Sequence, residues 1–175
     1  MTLSWWVTSV VAMGMALTAT ESKAADVRFD SAYTNLARDC RGVSGEGPEG
    51  QDVPRICSGP SPYLLRISYA AADMQIAVFR DKGFVLSLTG PGSCPHVYGP
   101  RVEWRLAGKK PFAVITRVYC RGQQHLLIRG LAGYEGLDQD LPADAAGANK
   151  RARDAADAWY CYRNSPDGIL LRKSM

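Results

Sequence analysis

Two histidines, His96 and His125, and five cysteines, Cys40, Cys57, Cys94, Cys120 and Cys161, are the side chains here with the widest chemical reach. Cys94-Pro95-His96 places a thiol and an imidazole two residues apart, which is half of a metal site. A zinc centre would take two more ligands. The one other histidine, His125, stands in the middle of an apolar, strand-like run. The same Cys94 and His96 would serve as a nucleophile and its base only if the cysteine stayed outside any disulfide. Neither C-x-x-C nor C-x-x-C-H occurs, so a thioredoxin-type redox motif and a c-type haem are unsupported.

The remaining motifs are weaker. Gly45-Glu46-Gly47-Pro48-Glu49-Gly50 matches G-x-G-x-x-G in letters. A dinucleotide site needs a strand before the glycines and a helix N-terminus after them, so that backbone amides point at the pyrophosphate. Here Pro48 interrupts the turn and two glutamates would repel phosphate, so the segment reads as loop. Ser44 lacks the second glycine of a nucleophile elbow. Asp138, Asp140 and Asp144 have the oxygen ligands for a hard cation, but acids at this place suit the start of a helix. Trp104, Tyr119 and Trp159 offer rings for a pocket, and aromatics at core spacing are usually core. No catalytic residue, metal or cofactor is expected from this set.

The elements that would position such residues centre on Val102–Cys120. Val102, Trp104 and Leu106 alternate with Glu103 and Arg105, the period of a strand with one apolar and one wet face. Gly108-Lys109-Lys110-Pro111 makes a turn. The return strand is apolar on both sides, with Phe112, Val114 and Val118 on one face and Ala113, Ile115 and Tyr119 on the other. Such a strand is interior to its sheet, with something covering each face; Arg117 falls near the edge of one cover. Strands are also expected at 63–69, 74–80, 84–88 and 125–131, joined by short connections and hence antiparallel. Residues 26–41 read either as a short helix or as an extended lead-in. Gly42–Pro62 and Gly90–Pro100, rich in glycine and proline, read as loops, and 131–141 as irregular. Pro142 suits the first turn of a helix capped by Asp140 or Leu141 and running over 143–159. Ala145, Ala148, Ala152, Ala155 and Trp159 form its apolar stripe, with Lys150–Asp154 and Arg153–Asp157 as i,i+4 ion pairs.

The chain has 175 residues, the size of one domain. The apolar run Trp5–Leu17, followed by small residues at Ser22 and Ala24, predicts a signal peptide over 1–24, although no base precedes the run. The run is shorter than the roughly 20 residues that a bilayer span takes, and a retained anchor is the alternative. The mature chain would keep twenty bases and sixteen acids, spread rather than clustered, which does not suggest nucleic acid. In an exported protein the cysteines predict a disulfide framework, with an odd one left over. Cys40–Cys57 would pin the Gly42–Pro62 loop, and Cys161 would join Cys120 or, second, Cys94. An ideal helix carries Cys161 away from the alanine stripe, so that bridge requires the helix to stop near Trp159.

The chain resembles a family of small, uncharacterised exported bacterial proteins. The likeness lies in Tyr33-Thr34 and Leu36 ahead of Cys40, Cys57 with Gly59 and Tyr63, Tyr98 to Arg105, Lys110 to Ile115, the Leu126–Ile128 strand and the Ala-rich helix before Cys161. Its members usually carry a Cys-His pair where this chain has Ala132-Gly133-Tyr134-Glu135, and Cys94 and Cys120 are departures too. The resemblance implies a periplasmic or secreted location and no catalytic residue. The expectation is therefore an α+β domain over 25–163, a sheet of about six antiparallel strands under one helix, with an exposed tail over 164–175. Its role would be that of a binding or interaction module for an unknown protein or envelope partner, without a stable membrane span after cleavage. A small periplasmic enzyme or metal-binding protein using His96 and Cys94 is the alternative.

Overall fold

The computed structural model describes residues 27–43, 54–70, 73–88, 96–97, 101–120, 122–143 and 146–165. The expected signal peptide, the Gly45–Gly50 motif, Ser44, Cys94, Asp144, Ala145 and the tail beyond 165 lie outside these residues. Eleven strands and one helix are formed among the described residues. They are β1 (Phe29–Asn35), β2 (Cys40–Gly42), β3 (Arg55–Ser58), β4 (Tyr63–Ala70), β5 (Asp73–Arg80), β6 (Gly83–Ser87), β7 (His96–Val97), β8 (Arg101–Ala107), β9 (Lys110–Cys120), β10 (Gln123–Gly130), β11 (Gln139–Pro142) and α1 (Ala148–Asn164).

The strands make two antiparallel sheets, not the single sheet expected. One is a meander in sequence order, β2-β3-β4-β5-β6; the other runs β1-β8-β9-β10-β11, with β7 also paired to β9. Residues 29–35 are extended because every one of them pairs with β8, from Phe29 opposite Ala107 to Asn35 opposite Arg101. This settles the ambiguity over 26–41. β3, β7 and β11 fall in stretches that read as loop or irregular, β2 straddles the end of the lead-in and the start of the loop, and each is too short to display a period. Cys40 and Cys57 stand directly opposite in β2 and β3 and are bridged, with Cα atoms 3.9 Å apart, as expected.

The central strand explains why there are two covers. Val102, Trp104 and Val114 face the meander sheet and share a core with Leu65, Ile67, Ile76 and Val78. Ala113, Ile115, Leu126 and Ile128 face the helix. Phe112 was expected beside Val114, and it lies instead with Ala113 under the helix. A register shift causes this: Arg105 pairs with Ala113 and Leu106 with Pro111, which leaves Phe112 as the extra residue of a β-bulge.

Trp104 is fully buried and joins the layers. Its indole N–H donates to the Thr34 hydroxyl at 2.8 Å, and Thr34 donates in turn to the Ser58 carbonyl at 2.8 Å. The indole lies so close to the Gly59 backbone that a Cβ there would sit 2.6 Å from Cζ2. Thr116, on the same strand as Val114, is also fully buried, yet its hydroxyl has no hydrogen-bond partner. A buried hydroxyl without a partner costs about 1–3 kcal/mol of desolvation. Thr116→Val is therefore expected to stabilise the fold by about 1 kcal/mol. Urea unfolding would register it as a raised midpoint at unchanged slope; a lowered midpoint would contradict it.

The helix begins five residues later than the sequence suggests. Pro142 closes β11 rather than opening a helix, since an edge strand tolerates the missing N–H at its end. Gly147, with φ 77°, then turns the chain into Ala148. Ala148, Ala152 and Ala156 make the buried stripe, with Ala155 and Trp159 at its margin. Small side chains let the helix axis come close to the sheet. Lys150–Asp154 forms on the outer face at 2.6 Å. Arg153 and Asp157 do not pair with each other. Arg153 reaches Glu103, with Nε 2.6 Å from Oε1, and Asp157 receives both Nε and Nη2 of Arg105. The supposedly wet face of β8 is thus buried beneath the helix and ion-paired to it. Ser31 links the two pairs, donating to Glu103 at 2.6 Å and accepting from Arg105 at 2.9 Å. Guanidinium groups at both places suit partial burial, because each fork meets a carboxylate with two parallel bonds.

The helix continues to Asn164, five residues past Trp159. Cys161 is consequently exposed and its thiol free, so the expected bridge to Cys120 or Cys94 is not made. At 100° per residue it stands about 140° around the axis from Ala156, the last residue of the buried stripe. Among the described residues no helix is long and apolar enough to cross a membrane.

Candidate functional site

The residues singled out by chemical type are dispersed where the structure describes them. His96 pairs with Tyr119 and His125 with Val118, so the two histidines belong to strands on either side of β9. His125 has its Nδ1 2.8 Å from Oδ1 of Asp140, which lies on β11 and neither caps a helix nor joins a cation site. No three of the described His, Cys, Asp and Glu side chains are close enough together to hold a metal ion. Trp104 is core, Tyr119 is exposed on β9, and Trp159 lies on the helix under the Arg163 guanidinium, so these rings share no pocket.

A different group converges at the β8–β9 turn, around a cleft of about 440 Å³. Its floor is aromatic. Tyr134 and Tyr160 stack with centroids 5.2 Å apart and planes 18° from parallel. Phe112 lies 4.8 Å from Tyr160 and 5.7 Å from Tyr134, and Tyr63 supplies a further ring. Its rim is cationic, with Arg80, Lys109 and Lys110. None of these three has an ion pair or a side-chain hydrogen bond among the described residues. Among the described residues the lining carries no carboxylate, imidazole or thiol, so what it offers is charge and ring surface.

Local backbone chemistry assembles this cleft. Ala107 pairs with Lys110, which leaves Gly108-Lys109 as a two-residue hairpin loop, and Gly108 takes the positive φ of 61° that such a loop requires. The lysines are thereby held at the tip of two largely buried strands. Tyr63 pairs with Arg80, and the Asp81 N–H donates to the Pro62 carbonyl at 3.1 Å, which fixes the end of β5 beside the β3–β4 turn. On the far side the chain doubles back tightly after β10. Tyr134 N–H donates to the Leu131 carbonyl at 2.7 Å, and Leu131 N–H to Phe112 at 2.9 Å. Gly130 is required there, because a Cβ would fall 1.8 Å from the Tyr134 carbonyl oxygen. The bulge at Phe112 completes the floor by turning that ring toward Tyr160. Burial pushes the Tyr160 phenol above its ordinary value, and its hydrogen bond with Tyr134 acts the same way.

The chemistry of this arrangement is complementary to an anion that has an apolar body. Sequence reasoning passed over all three cations and both stacked tyrosines. The available signal was the Lys109-Lys110 pair at the turn between two core strands, which read as turn chemistry alone. No protein-family model matches the chain, and no curated protein or solved structure similar to it was found.

Proposed function

We propose that this chain is an exported recognition domain, acting in the periplasm or outside the cell without catalysis, and that its working site is the cation-rimmed cleft at the β8–β9 turn. The observation that carries this reading is the convergence of Arg80, Lys109 and Lys110, unpaired, on a floor of stacked rings. Small-molecule sites are concave and mostly apolar, with a few convergent polar groups that fix orientation. Export is supported by the apolar N-terminal run and by a disulfide, which persists in oxidising compartments.

The fluorescent probe 8-anilinonaphthalene-1-sulfonate combines an anion with flat rings and tests the site directly. Binding is expected to be saturable, to weaken with added salt, and to fall about tenfold in Lys109→Gln/Lys110→Gln, the size expected for one lost charge-assisted contact. Both lysines are exposed, so the unfolding midpoint should not move. Equal affinity in the native chain and the double variant would sink the proposal.

A further inference from the structure

We infer that the ligand of this cleft is a phosphate monoester carried on a flat or extended apolar body, an inference that rests on the cleft being the binding site. Charge is the first ground. Arg80, Lys109 and Lys110 come from the end of β5, the hairpin loop and the start of β9, and none is compensated by an acid among the described residues. A carboxylate brings one charge and two oxygens, and would leave this rim overcharged. A phosphate monoester brings −1.5 to −2 at neutral pH and three strong acceptor oxygens. Arginine offers phosphate a planar fork, and lysine supplies point charges that adapt around it.

The lining itself is the second ground. Among the described residues it holds no carboxylate, so none of them offers an anionic ligand to a divalent cation that would bridge the protein to a polyphosphate. The third ground is the floor. Tyr134 and Tyr160, only 18° from parallel, form a slab with Phe112 packed against both. Such a surface takes a flat or extended apolar group and is poorly matched to a hydrated sugar. A cleft of about 440 Å³ admits one small molecule, or the head and first carbons of a lipid. The same chemistry is presented by a soluble aryl phosphate and by a lipid phosphomonoester headgroup.

The test uses the full mature chain, with phenyl phosphate, benzoate and inorganic phosphate titrated by calorimetry at low salt. Vesicles of phosphatidylcholine with and without phosphatidic acid are compared by co-sedimentation. Phenyl phosphate is expected to bind at least tenfold tighter than benzoate, which lacks the second charge, and than inorganic phosphate, which lacks the ring. Lys109→Gln/Lys110→Gln should remove the advantage over benzoate. Recruitment to phosphatidic acid vesicles in place of phenyl phosphate binding would support the same class and assign the lipid source. Equal binding of phenyl phosphate and benzoate would overturn the inference, as would binding of the anilinonaphthalene sulfonate with neither phosphate source bound; both outcomes leave the cleft as a binding site. Failure of that sulfonate as well would overturn the underlying reading of the cleft.

Discussion

Replacing Trp104 with alanine is expected to remove about 3–5 kcal/mol of stability, which is a large share of what a domain of this size possesses. The indole is fully buried between the sheets, 5.9 Å from the Tyr63 ring. The Gly59 backbone against it is held by hydrogen bonds and cannot move in to fill the space, since Gly59 N–H donates to Tyr63 at 3.3 Å. A cavity that cannot collapse carries the full cost of the lost contacts. Trp104→Phe separates the two contributions. It keeps most of the packing and removes the bond to Thr34, so its loss should be smaller, about 1–2 kcal/mol. Urea unfolding with the disulfide intact measures both. A loss below about 1 kcal/mol for the alanine variant would mean that Trp104 does not link the layers as described.

The second large effect concerns the pairs under the helix. Arg105→Met is expected to cost roughly 3 kcal/mol, because it leaves Asp157 partly buried without its guanidinium partner. Most of that should return in Arg105→Met/Asp157→Leu, where both charges are gone and the gap is filled by apolar groups. The effect differs from a surface ion pair, for which either change would cost less than about 1 kcal/mol. The side chains of Arg105 and Asp157 keep only 11% and 20% of their accessible surface. Removing Asp157 alone should be worse than removing both, since Arg105 would then be partly buried without its carboxylate and beside the like charge of Arg153. A double-mutant cycle with a coupling energy near zero would refute the idea that the helix is fastened here.

Six of the strands were legible because each runs long enough for its pattern to appear. β4, β5, β6, β8, β9 and β10 all follow from alternation or from a run apolar on both faces. The disulfide was legible from the two cysteines that bracket the glycine-rich loop. The second sheet was not, and the reason is physical. An apolar face shows that something covers it and carries no record of what the cover is. β9 demanded two covers, and one proved to be the helix while the other was a sheet already present elsewhere in the sequence. Glu103 and Arg105 misled because their partners, Arg153 and Asp157, stand about fifty residues away. Charge on alternate positions reads as solvent until the opposite charge is known to arrive. The helix start was misplaced because proline serves equally at the end of an edge strand. The cleft was least legible of all. Its cations and rings come from five separate segments, and none has a local motif. Residue types with intrinsic reactivity, such as His96 and Cys94, drew the chemical reading toward themselves. The site that emerges is made of side chains that are ordinary one at a time.

The bridge between Cys40 and Cys57 has a consequence for how the chain survives cutting. Cys40 opens β2, one short turn after β1, the edge strand of the other sheet, and Cys57 lies buried in β3. Everything between them forms a closed covalent ring. A protease that cleaves any peptide bond inside that ring therefore divides the chain without dividing the molecule. The N-terminal piece, carrying β1 and its seven paired positions, stays attached through sulfur to the rest. Only reduction would then allow the two fragments to diffuse apart, so in an oxidising compartment the loop can be nicked and the domain retained whole.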